Sequence, residues 1–199
     1  MAVQFAETPQ PTAYHFSTDQ YEKMISSGVF TSADNVELID GEIVKMAPRG
    51  LRHEACVRRL QLLFHEMLGR SAIVSSQNSL TIPPNSQPEP DVALLKWRED
   101  MYEISRPTPA DALLVIEVSD STLKEDRGRK KALYAKAGVS DYWIVNLQDD
   151  LVEVYSGLSH GSYTVTSVMK LGDNIPLTGG LQGIVAVDSI LRPDLKSNS

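Results

Sequence analysis

Hydrophobic and polar positions repeat with different periods along this chain, and each change of period marks an element. Ser17, Thr18 and Asp19 precede a short run, residues 20–27, that reads as a helix begun by a polar cap and stopped at Gly28. In VELIDGEIVKM, residues 36–46, apolar and polar positions alternate on both sides of Asp40-Gly41, a pair that favours a two-residue hairpin turn. Such a turn sets Ile39 opposite Glu42 and Glu37 opposite Val44, with Glu37 and Glu42 on one face of the ribbon.

From about Leu51 to Leu68 the spacing becomes helical, with His53, Val57, Leu60, Phe64 and Met67 in one stripe and Gly69 as a stop. Residues 72–78 and 80–82 read as a strand pair ahead of the proline-rich IPPNSQPEPD. Asp91 to Leu95 is a short strand, and the polar stretch from Trp97 to Asp111 a surface excursion. Leu113 to Val118 is the most clearly buried strand. Ser121 and Thr122 then cap a helix that runs from about Leu123 to Lys136 and stops at Gly138, before a further strand at Tyr142 to Val145. This strand, helix, strand succession predicts a crossover in a mixed α/β sheet. Leu151 to Tyr155 and Tyr163 to Met169 form a hairpin across Gly157 to Gly161, and Ile184 to Leu191 closes the apolar core.

Composition narrows the class. The 199 residues are 42% hydrophobic and 23% charged, enough for one domain with a sizeable core. Cys56 is the one cysteine, so no intrachain disulfide forms. The N-terminal residues lack the basic start and apolar centre of a signal peptide, and no apolar run approaches the roughly 20 residues that cross a bilayer. A reducing cytoplasm fits these features best. The net charge of -7 argues mildly against a nucleic-acid partner, because phosphate neutralisation dominates duplex affinity. The local field at a groove can nevertheless differ in sign from the total.

The candidate chemistry starts from Glu117, a carboxylate inside an apolar strand, where it costs several kcal/mol unless paired. Asp91 opens one short strand and Glu117 lies near the end of another. If the strands are neighbours the two carboxylates converge, and a divalent cation would relieve their repulsion. Mg²⁺ suits such a pair. Asp126, Lys130 and Tyr134 lie four apart on the next helix, drifting about 40° per step, so Lys130 could overhang the Glu117 strand. The plainer reading of Asp126 and Lys130 is a solvated pair worth about 0.3–0.5 kcal/mol. Arg127, Arg129 and Lys131 make that helix locally basic. His53 begins the apolar stripe of its helix and faces inward, as a core histidine or as a proton carrier near the sheet end. Glu37 and Glu42 are either site residues or the solvent side of the hairpin. No P-loop, dinucleotide fingerprint, zinc spacing or nucleophile elbow is present, and Cys56 reads as inert core.

PEPDVALL, LLVIEVSDST and DRGRKKALYAKAGVSDYWIV, with ELIDGEIVKMAP ahead of a helix near His53, resemble the Uma-two family of restriction-endonuclease-like proteins, over roughly residues 16–191. The resemblance implies a branch of the PD-(D/E)XK phosphodiesterases: an α/β fold with a restriction-endonuclease-like core, a central mixed β-sheet flanked by helices, an N-terminal hairpin and a C-terminal hairpin. It implies one nuclease-like domain at 16–191, after a Pro-, Thr- and Ala-rich flexible arm at 1–15 and before a tail at 192–199. Asp91 takes the place of the family's aspartate and Glu117 that of its second acid, and the Val118 carbonyl is a further metal ligand. Ser119 stands where the pattern has lysine, and Lys130, flanked by Tyr134 and Asp126, is expected to replace it. The expectation is a Mg²⁺- or Mn²⁺-dependent endonuclease acting on DNA as a cytoplasmic homodimer, with Asp91, Glu117, Lys130, His53 and Tyr134 in the site. The alternatives are a non-catalytic module that binds nucleic acid or protein, and an interaction protein that dimerises through its arm and apolar strands.

Overall fold

The computed structural model describes residues 12–31 and 33–191. The expected tail at 192–199 and all of the expected arm except residues 12–15 lie outside the described residues. Helix α1, Thr18–Ser26, is started by Ser17, whose hydroxyl accepts from the Gln20 N–H while the Gln20 side chain accepts from the Ser17 N–H. Strands β1, Val36–Ile39, and β2, Glu42–Lys45, pair as expected, with Ile39 opposite Glu42 and Glu37 opposite Val44. Asp40 (φ 49°) and Gly41 (φ 82°) both adopt the left-handed conformation that such a tight hairpin turn requires. A side chain at Gly41 would also sit 2.5 Å from the Cβ of His15.

Helix α2, Leu51–Leu68, buries His53, Cys56, Val57, Leu60, Phe64 and Leu68 against the sheet. The central sheet has six strands in the order β3-β4-β5-β6-β7-β8: Ile73–Ser75, Val92–Leu95, Ala112–Ser119, Tyr142–Asn146, Leu151–Ser159 and Ser162–Lys170. Only the β5–β6 contact is parallel, bridged by the helical crossover. That crossover comprises α3, Leu123–Glu125, a π turn at Asp126–Lys130, and α4, Lys131–Ala137. A small pair, β9 (Asn174–Pro176) and β10 (Ile184–Ala186), with α5 (Val187–Ile190), closes the core.

The alternation along β5 sorts the interior into two halves. Leu114, Ile116 and Val118 pack with Leu60 and Phe64 of α2 and with Trp143. Val115 points the other way, among Tyr134, Leu133, Tyr142 and Ile144. Glu117 shares the parity of Val115, so it lies under α4 and not under α2.

Three expectations need correction. Residues 80–82 do not pair with 72–78; β3 pairs with β4 instead, because Leu80 N–H bonds to Pro88 and Ile82 to Ser86. The C-terminal hairpin runs past Gly157, and its turn is His160-Gly161, both at positive φ. Gly157 lies within β7 at φ 67°, and a Cβ there would lie 2.8 Å from Thr164 Oγ1, so the position suits glycine. The crossover helix is not regular: Lys131 N–H reaches back to the Asp126 carbonyl, five residues away. Among the described residues no helix is long and apolar enough to cross a membrane.

Phe64 is fully buried where α2 meets Trp143. Phe64→Ala is expected to lower stability by about 3–5 kcal/mol, read from the urea midpoint by circular dichroism.

Candidate metal and phosphodiester site

The site forms where the β4–β5 ladder stops. Val92 pairs with Ile116, so one more step of the antiparallel register sets Asp91 opposite Glu117, and a second sets Pro90 opposite Val118. Asp91 and Glu117 therefore both adjoin the last ladder pair, at the same sheet end. Pro90 has no N–H to offer the Val118 carbonyl, and its own carbonyl accepts from Gln77 N–H at 3.1 Å. The Val118 N–H therefore donates to Asp91 Oδ2 at 2.9 Å. The same oxygen is 3.0 Å from His53 Nε2, brought in by the first turn of α2. With Asp91 ionised, Nε2 carries the hydrogen and donates. His53 Nδ1 is buried with no hydrogen-bond partner among the described residues.

Glu117 is 2% exposed and is held from the crossover helix. Its Oε1 accepts from Lys130 Nζ at 3.2 Å and from the Tyr134 hydroxyl at 2.9 Å. Lys130 is thus no solvated surface residue. Its ammonium also lies 3.2 Å from Glu37 Oε1, on the hairpin. Glu37 Oε2 in turn accepts from the Glu89 N–H at 3.1 Å. Asp126 is buried as well, its Oδ2 accepting from Ser119 and Thr122 hydroxyls, each at 2.6 Å. Ser119, standing where a lysine was expected, holds Asp126. The π turn belongs to this arrangement: by widening one turn, it brings Asp126, Lys130 and Tyr134 closer to a single line than α geometry would.

A cavity of about 340 Å³ opens over these groups, lined by Glu37, His53, Glu89, Asp91, Asp126 and Lys130 and by the Val118 strand end. Arg49 and Lys45 stand exposed at its margin. Glu117 and Tyr134 lie beneath it, with Lys130 between Glu117 and the opening. Glu42 is not part of the group; it is exposed and paired with Arg129 at 2.9 Å. The basic helix face expected from Arg127 and Arg129 is largely neutralised, since Arg127 pairs with Glu153 at 2.5 Å and Arg129 with Asp40 and Glu42. Glu37 and Asp126 are the residues that reading the sequence undervalued.

The electrostatics are those of several carboxylates around one ammonium. Burial pushes Glu117 up to about 8; Lys130 opposes this, while Asp126, Asp91 and Glu37 add to it. Burial also raises Asp126 and Glu89. Burial works against the Lys130 charge, but Glu117, Glu37, Asp126 and Asp91 outweigh it and hold the ammonium above its ordinary range. Burial and then Glu117 keep the Tyr134 hydroxyl protonated, as a donor. Cys56, pushed up to about 12 by burial, is inert. Among the described residues no three His, Cys, Asp or Glu side chains gather as a ready metal cluster. The oxygen groups nearest the strand end, the Asp91 and Glu117 carboxylates and the Val118 carbonyl, are of the type that could hold a hard cation.

A family model described as "Putative restriction endonuclease", Uma2, matches residues 18–189. The chain belongs to the Uma2 family. This assignment agrees with the resemblance carried by the strand-end acids. A crystal structure from Anabaena variabilis ATCC 29413, described as a putative nuclease belonging to DUF820, has the same fold as this Uma2 chain. The TM-score is 0.69 at 17% identity, covering 88% of this chain and 97% of that one. None of the curated proteins matches. The central mixed sheet flanked by helices is therefore shared with a nuclease-fold protein.

The raised proton affinity of Glu117 has a sign. Between the ordinary value of 4.5 and about 8 the folded chain holds the extra proton, so its stabilising contribution is complete below 4.5 and lost as pH rises through 8. Glu117→Gln removes this dependence. With EDTA present, the variant should gain on the wild type from pH 5 to pH 9 by on the order of a few kcal/mol. Urea unfolding at three pH values measures it, and a pH-independent difference would contradict the assignment.

Proposed function

We propose that this chain is a divalent-metal-dependent endonuclease that hydrolyses phosphodiester bonds in DNA. The observation that carries the reading is the meeting of Asp91, Glu117 and Lys130 at the end of the β4–β5 ladder, over a cavity open to solvent. The Uma2 membership supports the same reaction class. Asp91, Glu117 and the Val118 carbonyl would hold Mg²⁺ or Mn²⁺. Such an ion, when bound, lowers the pKa of a coordinated water and polarises a phosphate oxygen. Lys130 places a fixed positive charge where the phosphate gains negative charge, and it orients the attacking water. His53 fixes the Asp91 carboxylate through Nε2 and is the nearest proton carrier. Tyr134 keeps Glu117 in place from below. Arg49 and Lys45 meet the phosphate backbone at the cavity margin, where an acidic chain most needs local positive charge.

The proposal includes a single catalytic domain over residues 16–191, action in the cytoplasm, and a homodimer that presents one site to each DNA strand. A second reading, a nucleic-acid- or protein-binding module without catalysis, draws on two observations. Ser119 replaces the strand lysine, and Glu117 Oε1 is already engaged by Lys130 and Tyr134.

Asp91→Ala, Glu117→Ala and Lys130→Met should each lower Mn²⁺-dependent plasmid nicking by about 10²–10³-fold, with far-ultraviolet circular dichroism confirming the fold. Undiminished cleavage by any folded variant removes the mechanism. Calorimetric titration with Mn²⁺ separates the two readings, because a binding module has no requirement for the ion.

A further inference from the structure

Lys130 reaches the site from a helix and is shared between two glutamates at equal distance, Glu117 below and Glu37 on the hairpin, 3.2 Å each. The two acids are not equivalent. Glu117 lies beneath the cavity with Lys130 above it, whereas Glu37 and Lys130 both line the cavity wall. Lys130 and Tyr134 both engage Glu117 Oε1, so a cation taken up by this carboxylate draws its negative charge away from Lys130 and sets a second positive charge beside the ammonium. The ammonium must then keep its position by another contact. Glu37 supplies it, and the hairpin holds that carboxylate rigidly. Its Oε2 is fixed by the Glu89 N–H, and β1 is tied to the rest of the fold by the Gln87 N–H to Leu38 carbonyl bond at 2.7 Å.

We infer that Glu37 is a positioning residue that retains Lys130 over the reacting phosphate when Glu117 is given up to the metal. The inference rests on the nuclease reading and adds a third carboxylate to it, one that neither binds the ion nor touches the substrate. A flexible lysine on a helix loses its alignment without such an anchor, since fixing its four-carbon arm costs rotamer entropy that one shared oxygen does not offset.

The test is a double-mutant cycle on plasmid cleavage at saturating Mg²⁺. Glu37→Gln and Lys130→Gln should each lower kcat by about 10²-fold with KM little changed, and the double variant should be no slower than Lys130→Gln alone. Calorimetry should find Mg²⁺ affinity of Glu37→Gln within about twofold of wild type, since the acid acts only through Lys130. Glu37→Asp, which keeps the charge on a shorter arm, should recover part of the rate. Proton–nitrogen spectra of lysine ammonium groups add a readout free of turnover. The Lys130 signal should persist in the Mg²⁺-loaded wild type and vanish in loaded Glu37→Gln. Additive losses in the cycle, or a Lys130 signal unaffected by Glu37→Gln, overturn the inference and leave the nuclease reading standing. A wild type that neither binds Mg²⁺ nor cuts removes the nuclease reading and takes this inference with it.

Discussion

At the end of the β4–β5 ladder a proline occupies the place of the residue that would have kept the two strands paired. Pro90 cannot donate, so the ladder ends with the Val118 carbonyl facing a residue that has no hydrogen. The Val118 N–H turns to the Asp91 carboxylate instead of to a backbone oxygen. This one substitution of a side-chain acceptor for a main-chain one fixes Asp91 on the strand end, beside Glu117. His53 then has an acid to lean on, and the first turn of α2 is tied to the sheet at the same point. The cavity over the site exists because pairing stops there.

Holding Glu117 inside the fold is the second constraint. A buried carboxylate left alone would simply take up a proton, and burial does push it that way. Lys130 and Tyr134 limit the cost, each from the crossover helix, each to the same oxygen. The helix can present both because Lys130 and Tyr134 lie four residues apart across the first turn of α4, on one face. A π turn, a rare single-turn insertion in an α-helix, precedes that face at Asp126–Lys130. Asp126, at the start of that turn, has its carboxylate satisfied by Ser119 and Thr122, and its carbonyl accepts from the Tyr142 hydroxyl at 3.1 Å. The carboxylates around Lys130 are paired across elements, as a low-dielectric setting demands.

What could be read from the sequence was whatever leaves a local trace. An apolar run interrupted by Glu117, the Pro-Asp pair at the head of β4, and Asp40-Gly41 between alternating strands each carry their meaning within a few residues. They located the sheet, the hairpin and two of the acids. Glu37 left no such trace: a glutamate in an alternating hairpin looks like a solvent-facing residue, and its burial comes from residues 89 and 130, far along the chain. Arg127 and Arg129 misled for the same reason, because the acids that neutralise them belong to β7 and to the hairpin. The π turn did leave a signal, Gly128 in mid-helix, where a side chain would meet nothing within 4 Å. That glycine costs the helix about 1 kcal/mol relative to alanine, so it weakens a regular α turn at this point.

The absent strand lysine is instructive in the same physical terms. A lysine two residues beyond Glu117 would lie on the same face of the same strand, its position set by the sheet. Ser119 is too short to serve in that way, and its hydroxyl is committed to Asp126. The ammonium beside Glu117 comes instead from the following helix, without a strand's rigid placement. Two features hold it in place: burial, which limits its solvation, and a carboxylate on each side. The hairpin, which otherwise covers part of the sheet end, thereby becomes part of the site's electrostatics. Lys130, paired with both Glu37 and Glu117, links β1, β5 and the crossover helix through a single ammonium.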